Sequence, residues 1–367
     1  ALYPYIFLLL RNTFEQGSQS LSQAAQLMGA SPRKIFWTIH LPLARPALAV
    51  GCTLVAMESL ADYGTVQLFA INTLTTAIYD SWLVYGSLAS AAKISCLTLL
   101  FVITLTALEK NSRKKQLHFD SRTGKTTEKT NASNTKTGII WLFCGLVFCL
   151  GFLIPLITLI GYCTDYWLEN MNDDVWQHSQ STFILALTAA FIATLLAIVF
   201  NSQQRFTPST QNQAKLSLSS LGYAIPGTVL AIGILIPLGQ LDIWLNHFIQ
   251  WLGFEKVGLI FSGTSFALIL AFVIRFSAIS NGSIQAVYKQ MPTNLDSAST
   301  MLKASRFKTF HKIHLPIMRP ALISAFLLVF IECVKELPAS LLLRPFDFET
   351  LATYVYQFAS DEQLEHA

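Results

Sequence analysis

Long apolar runs separated by short polar stretches dominate the chain. A helix rises 1.5 Å per residue, so about 20 apolar residues cross a hydrocarbon layer of about 30 Å. The runs predict one partial span at 1–11 and full spans near 46–66, 90–108, 139–162, 181–200, 216–239, 260–279 and 318–338. Strands of an outer-membrane barrel would instead alternate apolar and polar over segments of about 10 residues. The expected class is an all-α integral membrane protein, a polytopic helical bundle.

Composition sharpens this. Of 367 residues, 53% are hydrophobic and 13% charged, against roughly 25% charged in soluble domains. The lipid bilayer is therefore the main solvent. The net charge of +4 is unevenly placed and reads as membrane topology, not as a nucleic-acid footprint. Segment 109–137 carries Lys110, Arg113, Lys114, Lys115, Arg122, Lys125, Lys129 and Lys136. Basic loops are retained in the cytoplasm. The 163–180 segment has Asp165, Glu169, Asp173 and Asp174 without a cation, and the tail after 338 is also acidic, so both are placed outside. Loop 280–317 is basic again, as the count of spans requires. The six cysteines lie in or beside apolar runs without a CxxC pair, which suggests packing and neither zinc nor a disulfide framework.

An internal repeat sets the architecture. Ile39-His-Leu-Pro-Leu-Ala-Arg-Pro-Ala-Leu48 returns as Ile313-His-Leu-Pro-Ile-Met-Arg-Pro-Ala-Leu322, and 14 of 28 positions agree between 21–48 and 295–322. Glu58 corresponds to Glu332, and after a three-residue insertion Leu74–Tyr79 aligns with Leu351–Tyr356. Six spans separate the two loops, so both face the cytoplasm and the repeat is parallel. The expected division is 1–108, the C-terminal part of a first half whose earlier spans precede the chain; 109–137, a basic cytoplasmic linker rich in Ser, Thr, Asn and Lys; and 138–367, a second half whose last span follows it.

Each repeated loop is expected to be a short helix, a turn and an Ile-x-Leu-Pro foot. In the first copy Ala24 and Ala25 are small enough to seat in a partner's groove, Gly29 permits a turn, and Pro42 restarts a helix. The order Gln23-Ala24-Ala25, three residues, Gly29, nine residues, Ile39-His40-Leu41-Pro42 resembles the EAA loop of binding-protein-dependent ABC importer permeases. In the second copy Ser297-Ala298-Ser299 stands for Glu-Ala-Ala and Lys303 for Gly, while Ile313, Leu315 and Pro316 keep the foot. The resemblance implies the MetI-like fold of type I importers and loops that dock on a separate ATP-hydrolysing subunit, in two copies. It also implies a periplasmic binding protein outside, residence in the bacterial inner membrane, and no bond chemistry in this chain.

The fused plan and the runs Tyr223–Gly233, Glu58–Val66 and Lys335–Pro345 look like the ferric-iron importer permeases. Thiamine importer permeases share the plan, so thiamine or a polyamine is the alternative solute. An ion-coupled secondary transporter is the distant rival, since those folds often carry inverted repeats.

Acids at membrane depth are the last signal. Glu58 and Asp62 share a helix face, and Glu332 and Glu336 repeat the spacing, with Lys335 beside them. A charge there costs about 3 kcal/mol, so these residues either line the passage or pair to hold helices together. No bound cofactor and no permanent metal site are expected, because transport requires release. Arg275, read as lying in the last turns of its span, is expected to snorkel to the cytoplasmic edge. A structural role is expected for His311 and His314, and Gly124-Lys125-Thr126 lacks the earlier glycine of a P-loop.

Overall fold

A computed structural model of the chain describes residues 2–15, 19–114, 134–170 and 173–363. Among the described residues the regular structure is helical and no strand occurs. Seven helices are long and apolar enough to cross a membrane: α1 Pro32–Ala61, α2 Leu88–Leu108, α3 Thr137–Tyr166, α4 Asp173–Phe206, α5 Gly227–Trp251, α6 Ser265–Gln290 and α7 Arg306–Val334. They correspond one to one with the seven full spans expected, and helix Tyr3–Glu15 takes the place of the partial one. The backbone of α2 stays helical to Lys114 and a helix begins at Asn134, so both ends of the expected linker are helical. Residues 115–133, with Gly124, Lys125 and Thr126, lie outside the described residues.

The span displaced furthest at both ends is α5, expected at 216–239 and found at Gly227–Trp251. Residues before it form helix Thr210–Ser219 and a tight turn at Gly222–Ala224. A Cβ on Gly222 would collide with the Ile274 carbonyl oxygen on α6, so glycine there lets the turn press on the helix backbone. Pro226 then occupies the N-cap of α5, where a missing N–H costs nothing. At the far end the polar residues Asp242 and Asn246 lie beyond the expected boundary at 239. In the fold they hold the following loop. Asp242, fully buried, accepts N–H bonds from Ile260 (2.9 Å), Phe261 (2.8 Å) and Ser262 (2.7 Å) and the Ser262 hydroxyl (2.6 Å). Asn246 accepts from Val257 and Gly258 and donates to the Gly258 carbonyl. The loop satisfies these side chains, so the helix continues past them.

The chain divides into two compact units. The first comprises Ala1–Leu60 and Leu100–Trp167. Within it α1 passes close to helix Tyr3–Glu15, where a Cβ on Gly51 would stand 3.1 Å from Ile6. None of the most apolar stretch of α3 is buried, at a mean hydropathy of 2.6, which suits a helix facing lipid.

The second unit comprises Ala61–Leu99 and Leu168–Ala367, so part of the first repeat packs with the second. Its core is formed by α4, α6 and α7. Ala186, Ala189, Ala190 and Ala193 make a fully buried stripe on α4 at helical spacing, facing Ala267, Ala271, Phe272 and Phe276 of α6, and Ala197 continues it against Ile284 and Tyr288. In a membrane, small residues let helices approach closely where no hydrophobic drive separates helix from lipid.

Candidate functional site: the duplicated loops and the acidic turns

The two repeated loops have the same internal geometry. In the first, helix Gln19–Leu27 ends as Met28, Gly29 and Ala30 donate N–H bonds to the carbonyls of Ala24, Gln26 and Ala25 at 3.1, 2.9 and 3.0 Å. In the second, Leu302, Lys303 and Ala304 donate to Ala298, Thr300 and Ser299 at 3.1, 2.9 and 3.0 Å. Gly29 has φ +80° and Lys303 +56°, so both turns are left-handed. Lysine therefore preserves the turn at a steric cost of about 1–2 kcal/mol. Ser31 and Ser305 then cap the next turn by accepting the Lys34 and Lys308 N–H.

The feet differ from the expectation. Pro42 does not restart a helix: α1 runs unbroken from Pro32, through a π-helical stretch at Phe36–His40, past Pro42. The second copy repeats this at Phe310–His314 before Pro316. A wider π turn relieves the clash between a proline ring and the preceding carbonyls without ending the helix. Ile39 and Leu41, like Ile313 and Leu315, are half-buried along these feet.

Each loop helix is tied back to its foot by the conserved histidine of the repeat. Ser22 Oγ lies 3.1 Å from His40 Nε2, and at the equivalent positions Asp296 Oδ1 lies 2.7 Å from His314 Nε2. Phe14 presents an edge to His40, and its equivalent Tyr288 does so to His314. The second copy adds more. Arg205 at the end of α4 donates to Asp296 (2.7 Å) and to the carbonyls of Tyr288, Met291 and Pro292, closing the C-terminus of α6. Ser299 and Thr309 bond through their hydroxyls at 3.0 Å where the first copy has Ala25 and Ile35. His314 is fully buried, which fits the structural role expected of it. No group of His, Cys, Asp and Glu among the described residues could hold a metal.

Both loop tips expose an apolar pair. Leu27 and Met28 are 90% and 87% exposed, and their equivalents Met301 and Leu302 are 86% and 83% exposed. Sequence reasoning missed them, although their signal is visible there: an apolar pair inside an otherwise polar loop, kept in both copies. Covering one such side chain is worth about 1.5–3 kcal/mol, so these tips suit burial against a partner.

The acids resolve into two kinds. Asp62 Oδ1 accepts the Thr65 N–H at 3.2 Å and caps helix Gly64–Leu68. Glu336 Oε1 accepts the Ala339 N–H at 3.3 Å and caps helix Pro338–Leu343. These are equivalent positions with one local task. Glu336, 7% exposed, also binds Arg275 Nη1 at 2.9 Å. Arg275 therefore does not snorkel: α6 extends to Gln290, which puts Arg275 mid-helix and buried, where a charge needs this partner. Gly227 makes room, since a Cβ there would strike both Arg275 Nη1 and Glu336 Oε1. Glu332 pairs with the exposed Lys335 at 2.9 Å on the same helix face, and Glu58 is half-buried near the end of α1. Arg205 and Asp242 were not legible as anchors, because a lone span-end arginine reads as topology and a lone aspartate as a loop.

Residues 1–115 match the protein family described as "Binding-protein-dependent transport system inner membrane component". An Fe(3+)-transport system permease protein of Haemophilus influenzae is 26% identical over 372 residues, covering 98% of this chain and 69% of that protein. A ferric transport system permease protein of Actinobacillus pleuropneumoniae is 24% identical over 384 residues, covering 98% of this chain and 53% of that protein. A molybdenum transport system permease protein of Escherichia coli is 30% identical over 114 residues, 29% of this chain and 50% of that protein. The chain thus spans between about half and about two thirds of the length of the two ferric relatives.

Proposed function

We propose that this chain, whose residues 1–115 match the inner-membrane components of binding-protein-dependent transport systems, is the membrane-spanning permease of an ATP-driven importer of ferric iron. A periplasmic binding protein delivers the ion to the outer surface. Two copies of a separate ATPase grip the loops around 20–42 and 294–316, and ATP binding and hydrolysis shift the spans between outward and inward openings because the two states bind the partners differently. The observation that carries this reading is the duplicated loop: the same turn and histidine tie, with an exposed apolar pair at each tip.

Iron rests on the names of the relatives that align along nearly the whole chain and on the fit of hard oxygen donors to a ferric ion. Glu58, Asp62 and Glu332 remain pathway candidates. Glu336 acts by fixing helix Pro338–Leu343 against α6. The test is uptake of labelled ferric iron and labelled thiamine in cells lacking the gene, with and without the full-length copy restored. Loss and recovery of iron uptake alone supports the assignment. Lost thiamine uptake with iron intact sinks iron and keeps the coupling scheme.

A further inference from the structure

Segment 61–79 and segment 335–356 are repeat equivalents within the second unit, and their folds correspond in detail. Each opens with a short helix, Gly64–Leu68 or Pro338–Leu343, whose first turn donates an N–H to a carboxylate, Asp62 or Glu336. Each then turns through a left-handed non-glycine residue, Ala70 at φ +52° or Asp347 at φ +58°, which occupy equivalent positions. Each ends in a helix closed by a threonine capping box, Thr73 with Thr76 or Thr350 with Thr353. Those last helices carry Tyr79 and Tyr356 at equivalent positions.

The two equivalents converge on one residue. Tyr63, 1% exposed, has its ring centroid 4.7 Å from that of Tyr79 and 5.6 Å from that of Tyr356, and its hydroxyl lies 3.2 Å from the Tyr356 hydroxyl. Leu337, the equivalent of Tyr63, in turn lies where a Cβ on Gly64 would be 3.1 Å from it. Repeat mates that share a neighbour lie beside the axis relating these two segments of the second unit. In a transporter built from two like halves, that axis is where a passage runs.

We infer that Tyr63, Tyr79 and Tyr356 form the outer gate of the pathway, closed in this structure. The inference rests on the transport reading above and deepens it. Apolar residues would plug the same space without buried hydroxyls, which cost free energy unless paired. Three phenols instead leave oxygen donors beside the passage, suited to a hard cation or a hydrated solute. Burial pushes the Tyr63 and Tyr79 phenols above their ordinary value, so the gate presents neutral hydroxyls. The left-handed turns at Ala70 and Asp347 lead into the two helices at equivalent positions.

The test uses the full-length protein assembled with its ATPase in membranes, with the native cysteines replaced and Tyr63→Cys introduced. A membrane-impermeant maleimide is added from outside, first without nucleotide and then with the ATPase trapped by vanadate. Labelling should quicken at least about tenfold on trapping, as a minor open state becomes the major one. Tyr79→Cys, at a half-buried position, serves where Tyr63→Cys does not fold. Equal labelling in both states makes the cluster static core and overturns the gate. Hydrolysis stimulated by the binding protein is measured on the same sample. Its absence defeats the transport reading and the gate with it, whereas stimulation with unchanged labelling defeats the gate alone.

Discussion

The two copies of the repeat fold the same local pattern with different strengths of anchoring. In the first, the loop is tied by a neutral Ser22–His40 contact, its turn is made by glycine, and the carboxylate of Asp62 caps a short helix. In the second, Asp296 replaces Ser22 and recruits Arg205, lysine makes the turn, and Glu336 adds a buried ion pair with Arg275 to the same cap. Half-identical sequence thus conserves geometry while the second copy adds ionic partners, Arg205 at the loop tie and Arg275 at the cap. Backbone geometry is set by the repeat; anchoring strength is set by what else lies within reach.

The difference breaks most readily at the buried pair. Gly227→Ala forces a Cβ between Arg275 and Glu336, and should cost about 3 kcal/mol or more, read as a fall in the thermal midpoint of the purified protein and loss of uptake. Asp62→Asn, at the equivalent position, keeps a capping oxygen and should cost under about 1 kcal/mol. Equal effects would show that the two caps carry equal loads.

A second contrast lies at the loop ties. Asp296→Ala leaves Arg205 and His314 without their shared acceptor and should cost about 2 kcal/mol. Ser22→Ala removes one neutral hydrogen bond and should cost about 0.5–1 kcal/mol. Thermal melts of both, with ATPase association measured alongside, check the order.

The partner surface offers a third. Leu27→Asp and Met301→Asp should each weaken ATPase association by on the order of tenfold in pull-down titrations, the worth of covering about one apolar side chain. Fold stability should be unchanged, since both side chains are exposed.

The smallest effect is at the turns. Lys303→Gly should stabilise by about 1 kcal/mol and Gly29→Ala destabilise by a similar amount. A Cβ on Gly29 would meet nothing within 4 Å, so the cost is purely conformational. A neutral outcome for both would mean that the loops relax freely in the absence of the ATPase.

The sequence by itself determined the class, the seven full spans, the internal repeat and the turn of each loop. Those follow from local quantities: run length against bilayer thickness, and a glycine or its substitute at a fixed offset. Tertiary structure alone decided where α5 begins and ends, because Asp242 and Asn246 stay helical only when a loop folds back to satisfy them. It also decided that Arg275 is an interior partner of Glu336, and that Tyr63, Tyr79 and Tyr356 meet. A charge or hydroxyl in an apolar run is legible as costly, but its partner lies at a sequence separation that no local pattern encodes. Only packing brings residue 275 to 336, or 63 to 356, and so turns a cost into a contact.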